Sequence, residues 1–122
     1  MIRAQYTEGS DGYELLIDGH AGYAEHGKDI VCAACSGITY ALLALLEEYS
    51  DEVTDVAGPV VDSGCFYVSC KGTERIQTAF HMAVLGLRKI SSQYPAHVMV
   101  LYSGNAGDSR EQTARKEHGE HA

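Results

Sequence analysis

Residues 32–49 read CAACSGITYALLALLEEY, and this stretch decides how the rest of the chain is parsed. Cys35, Ile38, Leu42, Leu45 and Tyr49 recur every three to four positions, which is the period of a helix with one apolar face. The helix start falls near residues 29–32. Working back from it, residues 19–27 contain Gly19, Gly22 and Gly27 and no sustained apolar period, so they read as a mobile loop. His20 opens that loop. Earlier still, residues 2–7 and 13–18 carry β-branched and aromatic side chains on either side of Glu8-Gly9-Ser10-Asp11-Gly12, a strong turn signal, and predict a hairpin.

Working forward, residues 53–57 and 65–70 predict two more strands across a 58–64 turn region that holds Pro59, Asp62 and Ser63. Residues 74–91 form a second helical pattern with Ile76, Ala79, Phe80, Ala83, Leu87 and Ile90 as its buried stripe, and Pro95 lies just past its end. Residues 97–102 are then a final strand. The order β-β-α-β-β-α-β predicts an α+β domain, two helices packed on one face of a mixed or mostly antiparallel sheet. That domain spans residues 1–102. In the remainder, 103–122, Ala106, Ala114 and Ala122 are the only apolar residues, the composition of a disordered polar tail.

A chain of 122 residues, 45% of them hydrophobic, fits one core. No run of about 18 apolar residues is present, and the polar opening MIRAQY does not resemble a signal peptide, so the expectation is a soluble cytoplasmic protein away from membranes. Cys32, Cys35, Cys65 and Cys70 are too sparse for a secreted disulfide scaffold and read as thiols. Cys65 and Cys70 stand at an odd separation on one strand and so face opposite sides of the sheet. The net charge is −8, with 13 acidic against 6 basic residues before position 103. This excess argues against binding nucleic acid and favours a basic polypeptide partner.

Residues 19–36, GHAGYAEHGKDIVCAACS, gather the reactive side chains, and four chemical readings compete for them. In the first, Cys32 sits in the opening turn of the helix. Free N–H groups and the positive end of the helix dipole there stabilise a thiolate and can receive an oxyanion. His20 folds back across the glycine loop as its base. In the second, Cys32-Ala33-Ala34-Cys35 is the C-x-x-C of a dithiol oxidoreductase, although only Asp29, Ile30 and Val31 stand where a longer strand is expected. In the third, His20, His26, Cys32 and Cys35 are zinc ligands, but the histidines lie six residues apart in a loop. In the fourth, both cysteines are small buried hydrophobes and His20 is a loop residue. His26, His81 and His97 carry no signal of their own, and Tyr23 and Tyr40 are candidates for lining a groove.

Gly19-His20, the 23–27 loop, Lys28-Asp29-Ile30-Val31-Cys32-Ala33-Ala34 and Ser36 closely resemble the signature of the ribosomal-processing cysteine protease family, with histidine and cysteine 12 positions apart. The family's order of elements matches residues 1–102. The resemblance implies a homodimeric cysteine endopeptidase, needing no metal or cofactor. Its implied substrate is a basic ribosomal protein precursor, the twenty-seventh of the large subunit, from which it removes an N-terminal extension. His20 and Cys32 match the family's catalytic pair. Asp29 matches the motif's acid and is suited to orienting His20, capping the helix, or both. Ser36, one turn beyond Cys32, has a hydroxyl placed either to touch substrate or to bond a helix carbonyl. Cys35 stands where the family usually has an aliphatic residue, which leaves two roles open: a packed core thiol, or a redox partner that locks Cys32 in a disulfide. The remaining alternatives are the dithiol oxidoreductase and a non-catalytic ribosome-associated binding protein.

Overall fold

The computed structural model describes residues 1–104. Its elements follow the predicted order: β1 (Ile2–Gly9), β2 (Gly12–Asp18), α1 (Ile30–Glu48), β3 (Val53–Asp62), β4 (Cys65–Gly72), α2 (Glu74–Gln93) and β5 (Val98–Gly104). Period-two alternation forms the strands. On β1, Ile2, Ala4 and Tyr6 are buried while Arg3, Gln5 and Thr7 are exposed, and Phe66, Val68 and Cys70 do the same on β4. The strands make one mixed sheet in the order β3-β4-β2-β1-β5. Every pairing is antiparallel except β1 with β5, where Ile2 pairs with Val98 and Glu8 with Gly104.

Most boundaries shift by one or two residues from the sequence reading, and three differences bear on the fold. β3 continues through Gly58 and Pro59, joined by a cis peptide bond, into the segment expected to turn. It can do so because β3 is an edge strand and its register with β4 shifts twice between Thr54 and Val60, so a residue without an N–H breaks no regular ladder. The turn shrinks to Ser63-Gly64. α2 continues to Gln93. β5 runs two residues further than predicted, because β1 supplies partners for Ser103 and Gly104. The domain therefore reaches residue 104, and the expected disordered tail otherwise lies outside the described residues.

The core forms where the helices cover the sheet. Tyr6, Leu15, Val68, Ile76, Phe80 and Leu87 are fully buried, and the Tyr6 and Phe80 rings lie 6.0 Å apart. Gly86 lets α2 approach α1 closely: a Cβ there would meet Ile38 Cδ1 at 2.9 Å. Beside the core, Glu8 at the end of β1 holds α2 through Gln77 Nε2 (2.8 Å) and His81 Nε2 (2.6 Å), and Tyr6 donates its hydroxyl to the same carboxylate at 2.8 Å. His81, silent in the sequence, thus has a structural partner.

α1 is unusual in what it leaves outside. Val31, Cys35, Thr39 and Leu42 are buried, yet Ile30, Ala34, Gly37, Ala41 and Ala44 form an exposed stripe, and no charged residue occurs between Ile30 and Leu46. Its length and mean hydropathy of 1.9 meet the composition of a membrane span, although Ser36, Gly37 and Thr39 interrupt the apolar run.

Candidate active site

The site is built around the start of α1. Asp29 is the N-cap, and its Oδ1 accepts from the N–H groups of Val31 (3.0 Å) and Cys32 (2.9 Å). Its other oxygen, Oδ2, accepts from the N–H groups of Tyr23 (2.9 Å) and Ala24 (3.1 Å), so one carboxylate fastens the glycine loop to the helix. Burial by itself would raise the Asp29 carboxyl, but these four N–H donors outweigh it and hold the group below the usual carboxylate range. Every hydrogen bond of Asp29 goes to backbone, and none reaches His20. Of the two roles expected, capping is the one observed.

This cap also alters the expected use of the helix terminus. The N–H groups of Val31 and Cys32 are occupied by Asp29, and that of Ala33 donates to the Asp29 carbonyl at 3.0 Å. They are therefore committed, and not free to receive an oxyanion. A different backbone donor faces the sulfur: Ala21 N–H lies 3.3 Å from Cys32 Sγ.

Cys32 is half-buried and lines an open cleft of about 790 Å³ between the start of α1 and the β3–β4 turn. His20, His26, Ser36, Tyr40, Asp62 and Gly64 line the same cleft. The His20 and His26 rings meet edge to face at 6.3 Å. His20 and Cys32 share no hydrogen bond in this conformation; the His20 imidazole instead rests on Gly64, where an added Cβ would lie 2.7 Å from its Nε2. Gly64 also has φ +76°, a conformation that disfavours other residues, and its carbonyl accepts from Gly19 N–H at 2.9 Å. The two-residue turn thus sets both the backbone and the ring of the histidine segment.

The loop glycines divide into two kinds. Gly19, Gly22 and Gly27 all have positive φ, but a Cβ on Gly19 would strike the Met1 carbonyl oxygen at 2.2 Å, while Gly22 and Gly27 face open space. The base of the loop is packed. Residues 22–28 are exposed.

Ser36 is exposed on the cleft wall, and its hydroxyl bonds no helix carbonyl; its own carbonyl accepts from Thr39 Oγ1 at 2.8 Å. Tyr40 lines the cleft as expected, but Tyr23 does not. Its ring packs edge-on against Tyr94 and His97, each at 5.4 Å. Cys35 lies in the core, 3% exposed, and burial followed by the nearby Cys32 and Asp29 charges pushes its thiol up to about 11. All four cysteines are free. Cys65 is half-buried and Cys70 buried, on opposite faces of β4. Among the described residues no group of three or more His, Cys, Asp or Glu side chains is gathered for a metal ion, so the four candidate zinc ligands do not converge. Gly64 and His97 are the contributors that sequence reading missed. Gly64 had the signal of a turn glycine and no hint of its neighbour.

A half-buried thiol faces a backbone donor, with two histidines on the same open cleft of an α+β domain, an arrangement suited to thiol chemistry. Residues 1–99 match the family described as Cysteine protease Prp. The chain belongs to that family and is a cysteine protease. It is 34% identical over 92 residues to the ribosomal processing cysteine protease Prp of Mycoplasma genitalium, covering 70% of this chain and 84% of the relative. It is 27% identical over 110 residues to the protein of that name from Staphylococcus aureus, covering 84% and 99%. The fold matches two crystal structures of the S. aureus protease. One, with a covalently linked product peptide, gives a TM-score of 0.69 at 22% identity, and the other, with a substrate peptide, 0.64 at 21%. Each comparison covers 84% of this chain and all of the other.

Proposed function

We propose that this protease removes the N-terminal extension of a large-subunit ribosomal protein, the twenty-seventh of that subunit, in the cytoplasm, where its thiols stay reduced. Cys32 is the nucleophile and His20 its base. The thiol proton passes to His20, Sγ bonds the scissile carbonyl carbon, and the carbonyl π electrons move onto oxygen. Collapse of this intermediate expels the new N-terminal amine, which takes the proton from His20, and water then hydrolyses the thioester. The exposed 22–28 segment closes over substrate, a motion suited to the open space around Gly22 and Gly27, while the exposed His20 side chain turns off Gly64 to reach the sulfur, its backbone held at Gly19 and Ala21.

The observation that carries this reading is that His20 and Cys32 line one cleft within residues 1–99, the part that matches the protease family. The relatives' names supply the ribosomal setting, and the peptide-bound S. aureus structures supply the kind of substrate. The net charge of −8 steers a basic precursor toward the enzyme, and Asp62 places a carboxylate on the cleft wall. The same charge disfavours direct nucleic-acid contact. The dithiol alternative lacks a usable second thiol, since Cys35 is buried and its pKa is raised. The protein works as a homodimer. The uncharged, exposed stripe of α1 supports that arrangement, because such a face is stable in water when a second copy covers it.

The test is incubation with the basic precursor. A single cleavage that Cys32→Ala and His20→Ala abolish, and that His26→Ala and Cys35→Ala largely retain, is expected. Cleavage retained by His20→Ala and lost in His26→Ala would reassign the base. An intact precursor with the wild-type enzyme would reject the substrate.

A further inference from the structure

Ala21 follows His20 directly and is fixed from both sides. Its N–H donates to Cys32 Sγ at 3.3 Å, its carbonyl accepts from His97 Nδ1 at 2.8 Å, and the residue is 2% exposed. A carbonyl only accepts, so His97 must carry a proton on Nδ1. His97 is in turn held firmly. Its N–H donates to the Tyr94 carbonyl at 2.9 Å, its carbonyl accepts from Ile2 N–H at 2.9 Å, and Tyr23 packs edge-on against its ring. The end of α2 and the start of β1 thereby fix Ala21 through the peptide that follows it, while the preceding peptide, which carries the N–H, is held at its His20 carbonyl by the Met1 amine.

The helix terminus leaves this task open. The first-turn N–H groups at Val31, Cys32 and Ala33 are committed to Asp29, whereas Ala21 N–H points at the sulfur. A donor beside the sulfur is also beside the carbon that the sulfur attacks. When the π pair moves onto the carbonyl oxygen, the negative charge leaves Sγ and appears one atom beyond that carbon, within the reach of the same N–H.

Building on the peptidase reading, we propose that the Ala21 N–H is the catalytic backbone donor, stabilising the Cys32 thiolate before attack and the oxyanion after it. His97 is the positioning residue that holds the donor in place. It touches neither substrate nor sulfur and acts only through the Ala21 carbonyl.

Three proteins separate this from a merely structural role: wild type, His97→Ala and His97→Asn. Asn places an amide N–H close to where Nδ1 stands and preserves the bond to Ala21. Two rates are measured well below each protein's melting temperature. One is alkylation of Cys32 by iodoacetamide at neutral pH, followed on the Cys32 peptide by mass spectrometry; the other is precursor cleavage. His97→Ala should lower both the alkylation rate and kcat about tenfold with KM nearly unchanged, the size of one weakened hydrogen bond to a charged group. His97→Asn should restore both to within about threefold of wild type. Wild-type rates in His97→Ala, or equal losses in Ala and Asn, would overturn the proposal. A wild-type enzyme that alkylates but cleaves no precursor would count against the substrate reading, and the alkylation rates would still decide the role of Ala21.

Discussion

Gly64 confines His20, the proposed base, on one side. Its missing side chain leaves the place that His20 Nε2 occupies, and a Cβ 2.7 Å away would push the imidazole out. Gly64→Ala is therefore expected to lower kcat/KM at least about tenfold, since small displacements of a catalytic group carry large rate penalties. Steady-state cleavage checks this, and a wild-type kcat/KM would contradict the placement of His20. At this scale the sequence was most informative where chemistry is concentrated locally. Cys32, His20 and Asp29 stand in one 18-residue segment, and the apolar stripe of α1 already pointed Cys35 inward. Gly64 and His97 reach the site from the β3–β4 turn and from beyond α2, so only the tertiary fold gives them meaning. Asp29 was recognised but its role was ambiguous, because a carboxylate suits a helix N–H and an imidazole equally well.

Two elements are secured by single carboxylates, and both make folding pH-dependent. For Glu8, burial would raise the carboxyl, but the bonds from His81, Tyr6 and Gln77 together lower it; Asp29 is lowered by its four N–H donors despite burial. A folded value below the unfolded one means that the stabilisation is complete above the unfolded carboxylate range of roughly pH 4. It is lost as pH falls further, through the folded value. Melting temperature should thus decline most steeply below about pH 4. Asp29→Asn should lower it at neutral pH and converge on wild type in acid, because one of the two acceptor oxygens becomes an amide nitrogen and two of the four N–H bonds lose their acceptor. Parallel melting curves at all pH values would contradict the clamp. Element boundaries were legible where alternation or helical period was unbroken. β3 was not, since Gly58 and Pro59 normally punctuate a chain, and only an irregular edge strand tolerates them. The last residues of β5 depend on the neighbouring β1, which no local pattern reveals.

For the whole molecule, the hairpins and helices foretold an α+β sheet protein, while the parallel pairing of β5 with β1 required the finished topology. The exposed apolar face of α1 makes a prediction at the same scale. Ala41→Lys puts a charge in the middle of the stripe, leaves the buried face untouched, and should convert the proposed dimer to monomer by sedimentation velocity; a variant that still dimerises would place the interface elsewhere, and a monomeric wild type would reject the dimer. A Cys32 nucleophile implies an acyl-enzyme on its sulfur. The most direct measurement is an acid quench of enzyme mixed with precursor, followed by peptide mapping by mass spectrometry. A thioester to the released extension is expected on Cys32 alone, with neither thioester nor cleavage in Cys32→Ala. An acyl group on another residue, or cleavage by Cys32→Ala, would contradict it.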